Sequence, residues 1–161
     1  MDATPYLEEI ARKFAEVRLE AIMIGNAAAA LQGAPVTTAD IDFLFRKTRT
    51  NVAKIRQFAK ALGMMVHNPF YPAADMLRLE RSTDQLQIDF CVSIAGVRSF
   101  EGVRKRSSEM VFGGHPILVA DLNDVIRSKR AAGRPKDLAI LDTLTDTYAE
   151  IQARRQAEKE T

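Results

Sequence analysis

Apolar residues recur at helical spacing in the first segment of the chain, at Leu7, Ile10, Phe14 and Val17. This period predicts an amphipathic helix over residues 4–19, with Thr4 as its cap, Pro5 in its first turn and Glu8 and Glu9 favouring its positive end. The pattern then changes. Ala21–Ile24 is a short unbroken apolar run, read as a buried strand that Gly25-Asn26 ends. An alanine-rich helix follows over Asn26–Gln32, closed by Gly33, and its small side chains allow close approach to a sheet. Pro35–Thr38 reads as a loop and Asp40–Phe45 as a second strand. A helix is predicted over Arg49–Leu62, capped by Thr50, with Val52, Ile55, Phe58 and Leu62 inward and Gly63 ending it.

The later chain alternates in the same way. Met64–His67 reads as a short strand and residues 68–72 as a turn-rich loop. Met76–Glu80 and Gln85–Val92 read as a hairpin turning at residues 82–84. Phe100–Arg106 is a short basic helix. Ser108–Phe112 and Pro116–Val119 flank Gly113-Gly114 as a second hairpin. Asp121 caps a helix that runs to Ala132 and breaks at Gly133. A final helix over Arg134–Ala153 carries Leu138, Leu141, Leu144 and Tyr148 at helical spacing, and the polar tail beyond it is expected to fray. The pattern implies an α/β (α+β) fold with a mixed central sheet flanked by helices. All 161 residues fit a single domain, with residues 120–155 as its helical C-terminal part.

Composition narrows the class without naming a partner. The chain is 47% hydrophobic and 27% charged, values of an ordinary soluble domain with a core, and its net charge of only +2 says little about partners. Basic residues gather in 98–106 and 127–136, where a positive rim would suit a polyanionic ligand and a solvated helix face would serve equally well. One cysteine, Cys91, precludes an intrachain disulfide and fits a small near-core residue. No apolar run has the length of a membrane span, and the early residues are unlike a secretory signal, so a cytoplasmic location with no membrane partner is expected.

Candidate chemistry centres on three acids set in apolar strands: Asp40 and Asp42 in ADIDFLF and Asp89 in LQIDFCV. Strand side chains alternate faces, so Asp40 and Asp42 point the same way while Ile41, Phe43 and Phe45 point into a core. Adjacent like charges repel unless a cation lies between them. A lone Asp89 is explained well enough by an exposed sheet face, but the Asp-x-Asp pair is better explained by a metal site. Magnesium takes few carboxylates and leaves positions for phosphate oxygens, which suits phosphoryl or nucleotidyl transfer. Gly25, at a helix start, lets a phosphate approach the backbone N–H groups.

Taken in order, Ile24-Gly25-Asn26, Asp40-Ile41-Asp42 and Gln87-Ile88-Asp89-Phe90 resemble the nucleotidyltransferase superfamily, the polymerase-β-like fold. The segment from Ser128 to Asp137, SKRAAGRPKD, is similar to small bacterial members related to toxin–antitoxin and abortive-infection nucleotidyltransferases. The resemblance spans roughly residues 20–140. It implies a nucleotidyltransferase fold with C-terminal helices, and a magnesium- or manganese-dependent transfer of a nucleoside monophosphate from a nucleoside triphosphate such as ATP to a hydroxyl. The acceptor would be a protein, a tRNA end or a small molecule, with a partner protein if the chain belongs to a toxin–antitoxin or defence pair. By the same resemblance Asp40 and Asp42 bind metal, and Asp89 binds the catalytic metal and helps activate the acceptor. Gly25, Asn26, Thr38 and Lys129 contact the nucleotide.

Asn26 departs from the pattern, which usually has glycine or serine there, and this favours a second reading: a nucleotide- or partner-binding module without turnover. The retained acids oppose it. A purely structural domain leaves the Asp pair unexplained. Thr38 is read as bonding either a phosphate or the local backbone, and Lys129 either a triphosphate or solvent. Arg134 and Lys136 are weaker phosphate candidates. Asp137 is expected to cap the last helix or pair with Lys129 or Arg130. His67 and His115 read as loop residues, Phe70 and Tyr71 as core rather than pocket, and Arg46 as a phosphate contact or a solvated strand end.

Overall fold

The computed structural model describes residues 4–37, 40–67, 75–97 and 99–161. Thr38, Phe70, Tyr71 and Arg98 therefore lie outside the described residues. Within them the chain runs α1 (Thr4–Val17), β1 (Ala21–Ile24), α2 (Gly25–Leu31), β2 (Asp40–Phe45), α3 (Arg49–Ala61), β3 (Met65–His67), β4 (Met76–Arg81), β5 (Leu86–Cys91), α4 (Phe100–Arg106), β6 (Ser108–Phe112), β7 (His115–Val119), α5 (Leu122–Ala132) and α6 (Pro135–Lys159). The strands form one mixed sheet in the order β3-β4-β5-β2-β1-β7-β6. β2 lies at its centre, antiparallel to β1 and parallel to β5.

Strand alternation divides the sheet into two faces. Phe43, Phe45, Ile88, Phe90 and Leu79 fill one face and are fully buried under α1 and α3. The Phe14 ring of α1 lies 4.9 Å from both Phe43, edge to face, and Phe58, at a tilt. Burying side chains of this size stabilises the fold by about 1.5–3 kcal/mol each. The opposite face carries Asp40, Asp42 and Asp89. Next to them a smaller apolar cluster of Ile22, Ile24, Leu44, Val103 and Ala120 is covered by α4. The face that bears the acids is therefore sealed at one end and open at the other.

α2 and α5 pack side by side at this open end. Ala27, Ala28 and Ala29 are buried, as the small side chains require for close packing. Gln32 fixes the junction. Its Nε2 donates to the Ala28 and Ala120 carbonyls at 2.9 Å, and its Oε1 accepts from the Leu122 N–H at 3.1 Å. Leu122, Val125 and Ile126 of α5 and Leu144 of α6 join the main core.

Several expectations need correction. The cap of α3 is Thr48, which accepts from the Asn51 N–H at 3.0 Å, because Thr50 already lies within the helix. α6 does not fray after Ala153. It continues to Lys159, since its polar tail contains good helix formers and no glycine or proline. Leu138 is 54% exposed on α6, whereas Leu144 is fully buried, so the apolar stripe begins a turn later than its spacing suggests. His67 and His115 lie in strands rather than loops, and His67 Nε2 stands 3.3 Å from Glu80. Arg46 pairs with Glu20 and Glu101, and its guanidinium lies 4.4 Å over the Phe100 ring.

Candidate active site

The parallel pairing of β2 with β5 sets Asp40 beside Gln87 and Asp42 beside Asp89. Residues in register on neighbouring strands project to the same face, so Asp42 and Asp89 are adjacent. Antiparallel β1 places Ile24 beside Asp42 and brings the following Gly25 over the pair. Gly25 has φ of +68°, and a Cβ built on it would lie 3.0 Å from Asp42 Oδ2. Glycine is needed here twice, for its left-handed backbone and for the space above Asp42. Gly25→Ala is expected to cost about 1–3 kcal/mol, because strain at the positive φ adds to displacement of the Asp42 carboxylate. A urea titration of the metal-free variant measures it.

These residues line a cleft of about 470 Å³. Its acidic floor is Asp40, Asp42 and Asp89, and its basic rim is Lys129 of α5, Arg134 at the cap of α6 and Lys136 of α6. Gly25, Asn26 and Lys129 thus stand in the same cleft as the three acids. Burial pushes the Asp42 carboxyl up to about 6, with the charges of Asp89 and then Asp40 adding to the rise and Lys129 and Arg78 opposing it. Cys91 borders the same floor. Burial, then Asp42 and Asp89, push its thiol up to about 12, so it stays protonated and is a poor nucleophile.

Sequence reasoning missed one partner, Arg78. It lies opposite Asp89 on β4, its Nε donates to Oδ1 at 3.0 Å and its Nη2 to Oδ2 at 3.2 Å. Gln87 Nε2 adds a third bond to Oδ2 at 3.2 Å. The signal was present: a hairpin turning at residues 82–85 pairs 81 with 86, and therefore 78 with 89. The other buried acid at the cleft is Asp137, expected as a helix cap or a partner of Lys129 or Arg130. Its Oδ2 accepts from Arg134 Nε at 2.6 Å and from the Arg134 N–H at 3.3 Å, while its Oδ1 lies 3.4 Å from Lys129 Nζ. Burial works to raise the Asp137 pKa, but the Arg134 hydrogen bond and the Lys129 charge outweigh it and hold it below the ordinary carboxylate range. Both expected roles of Asp137 are thus combined, with Lys129 and Arg134 as partners. Lys129 is only 14% exposed, so it is not a solvated helix lysine.

Does this chemistry fit a divalent cation? No three His, Cys, Asp or Glu side chains among the described residues form a ready cage. Two observations nonetheless call for a cation. The Asp42 carboxyl resists ionisation, through burial first and then the neighbouring charges of Asp89 and Asp40, which a bound cation would offset. Asn26 Oδ1, also in the cleft, is buried and has no hydrogen-bond partner among the described residues. The donor set, carboxylates and an amide oxygen, is that of magnesium or manganese.

No protein-family model matches the chain, and neither does any curated protein. Solved structures do match. The antibiotic-resistance factor ANT(2'')-Ia aligns over 99% of this chain and 97% of its own, with a TM-score of 0.60 at 16% identity. The lincosamide antibiotic adenylyltransferase LnuA, solved with lincomycin, aligns over 91% and 98% with a TM-score of 0.63 at 12% identity. A protein from Thermotoga maritima, provisionally classed as a nucleotidyltransferase, aligns over 88% and 91% with a TM-score of 0.62 at 18% identity. The chain has the nucleotidyltransferase fold. The nucleotidyltransferase-like arrangement extends through β7, α5 and α6, since nearly the whole chain aligns with ANT(2'')-Ia. Among the described residues no helix is long and apolar enough to cross a membrane.

Proposed function

We propose that this protein is a nucleotidyltransferase that moves a nucleoside monophosphate from a nucleoside triphosphate to an acceptor hydroxyl. The observation that carries the reading is the in-register pair Asp42 and Asp89 on adjacent parallel strands beneath Gly25. Asp40, Asp42 and Asp89 would hold magnesium or manganese, which supplies charge neutralisation at the transferred phosphoryl group and the leaving pyrophosphate. The chain's own residues bind and orient. Gly25 leaves room for the triphosphate to approach the backbone, and Asn26 offers its amide beside it. Lys129, steadied by Asp137, faces the cleft as the triphosphate contact, with Arg134 and Lys136 on the rim. Thr38 belongs to this proposal on sequence alone. In the transfer, the acceptor oxygen bonds to the α-phosphorus, the bond to the pyrophosphate oxygen breaks, and the hydroxyl proton passes to a carboxylate of the acid trio.

The fold neighbours bear on the acceptor. LnuA was solved with lincomycin, and ANT(2'')-Ia was solved with adenylyl-2''-tobramycin. By analogy, a small polyhydroxylated acceptor and ATP are the first substrates to try. A toxin–antitoxin or defence role, with its partner protein, rests on the sequence resemblance, and operation as a single cytoplasmic domain rests on chain length and composition. Incubation with magnesium or manganese and each labelled triphosphate, beside an Asp40→Ala/Asp42→Ala variant, tests the reading. We expect labelled product or pyrophosphate release from wild type alone. Equal behaviour of the two proteins would sink the enzyme reading. Metal-dependent nucleotide binding without turnover would favour the non-catalytic module that Asn26 suggests.

A further inference from the structure

The third acid of the trio is already in use. Arg78 clamps both oxygens of Asp89, and Gln87 adds a bond to one of them. Arginine stays charged at any pH a protein survives, and its planar fork matches a carboxylate. It therefore provides the positive charge that a buried acid needs, in the place where a metal ion would otherwise provide it.

The two partners differ in freedom. The Asp89 side chain is 7% exposed and fixed in the middle of a paired strand, whereas Arg78 is 38% exposed at the cleft. If one of them is to leave, the arginine reaches water at small cost and the aspartate cannot. A guanidinium and a divalent cation on the same carboxylate also repel each other. We infer that Arg78 is a built-in counter-ion that holds Asp89 until a divalent cation replaces it, so that metal entry and release of the guanidinium are one exchange. This inference rests on the proposed metal-dependent site and adds to it how that site is kept intact when empty of metal. The rival role, a permanent brace that orients Asp89 with the metal bound, makes the opposite prediction about affinity.

Calorimetric binding of Mn²⁺, without nucleotide, to wild type, Arg78→Lys and Arg78→Gln separates the two. Lysine keeps the charge but cannot clamp both oxygens, so Arg78→Lys is expected to bind several-fold tighter than wild type. Arg78→Gln is expected to bind tighter by about tenfold or more, as both the clamp and the charge are lost. An Arg78→Lys affinity equal to or weaker than wild type overturns the exchange, since a bare charge effect or a brace would give that result. Should one variant fold poorly, the other still assigns the wild-type resonance that gives a second readout. The arginine Nε–H resonance of Arg78, assigned by its loss in the variant spectrum, is expected to shift when Mg²⁺ is added to ¹⁵N-arginine-labelled protein. A resonance that does not move with a bound cation overturns the proposal. Absence of Mn²⁺ binding in every protein tested removes the metal site itself, whereas binding by wild type without tightening in Arg78→Lys removes only the exchange.

Discussion

Asp42→Asn is expected to abolish nucleotidyl transfer and to make the metal-free protein more stable than wild type above pH 6. The two effects have one cause. Asp42 is buried beside Asp89 and Asp40, so ionising it in the folded protein is unfavourable and its pKa rises to about 6. The folded state then binds a proton more tightly than the unfolded chain does. Below about pH 4 the group is protonated in both states and costs nothing. Between about pH 4 and pH 6 stability falls as pH rises, and above that the loss is constant, on the order of 2–3 kcal/mol. Asparagine removes the titration and the loss with it. Asp84 and Asp137 have lowered pKa values and act with opposite sign, losing stability only as pH falls below the ordinary carboxylate range, so they do not mask this window. Urea titrations from pH 4 to pH 8 in a chelator, for both proteins, measure the difference. Mg²⁺ is expected to restore the wild type and leave Asp42→Asn unmoved. Transfer activity should drop on the order of 10²–10³-fold or more, since a preorganised charge is removed where reaction charge develops. A variant that retains activity, or a wild type whose stability rises from pH 4 to pH 6 relative to the variant, would contradict the assignment.

The residues that made this site readable in the sequence were those under the strongest local constraint. An acid flanked by Ile41 and Phe43 in a strand has one face available to it, and strand alternation decides which. That argument places Asp40 with Asp42 and separates both from the phenylalanines, as the structure does. The same reasoning reaches Asp89 relative to its own strand but not its distance from Asp42, because the β2–β5 pairing joins strands far apart in the chain and has no local signal. Arg78 was within reach of hairpin register, yet an arginine in MLRLER has the appearance of an ordinary exposed strand residue until its partner is known. Thr48 and Thr50 show a different limit. Both are suitable caps two residues apart, and the Asn51 N–H selects Thr48 only once the helix start is fixed. The extension of α6 to Lys159 escaped because helix propensity without an apolar stripe resembles a disordered tail in composition.

Asp137→Ala is the change expected to cost most outside the acid trio, and its effect should appear in both stability and nucleotide affinity. Asp137 is fully buried, and its one carboxylate ties α5 to α6 through Lys129, fixes Arg134 and bonds the first N–H of the α6 junction. Removing one member of a buried pair commonly costs about 3–5 kcal/mol, because the other charge is left without compensation. Here Arg134 is 56% exposed and can turn to water, while Lys129 at 14% cannot do so as freely, so about 2–4 kcal/mol is expected. Leu138→Ala, one residue on, is the contrast. Its side chain is 54% exposed and touches no core, and it should fall within about 0.5 kcal/mol of wild type. Asp137→Asn separates the two roles of the carboxylate. It keeps an acceptor for the Arg134 N–H but loses the charge that positions Lys129, so stability should recover in part while nucleotide affinity stays about tenfold weak. Thermal melting with fluorescence titration of a triphosphate analogue reads both quantities on the same samples. If Asp137→Asn binds nucleotide as wild type does, Lys129 is held by the buried charge for the sake of the fold alone, and the triphosphate contact lies elsewhere on the rim.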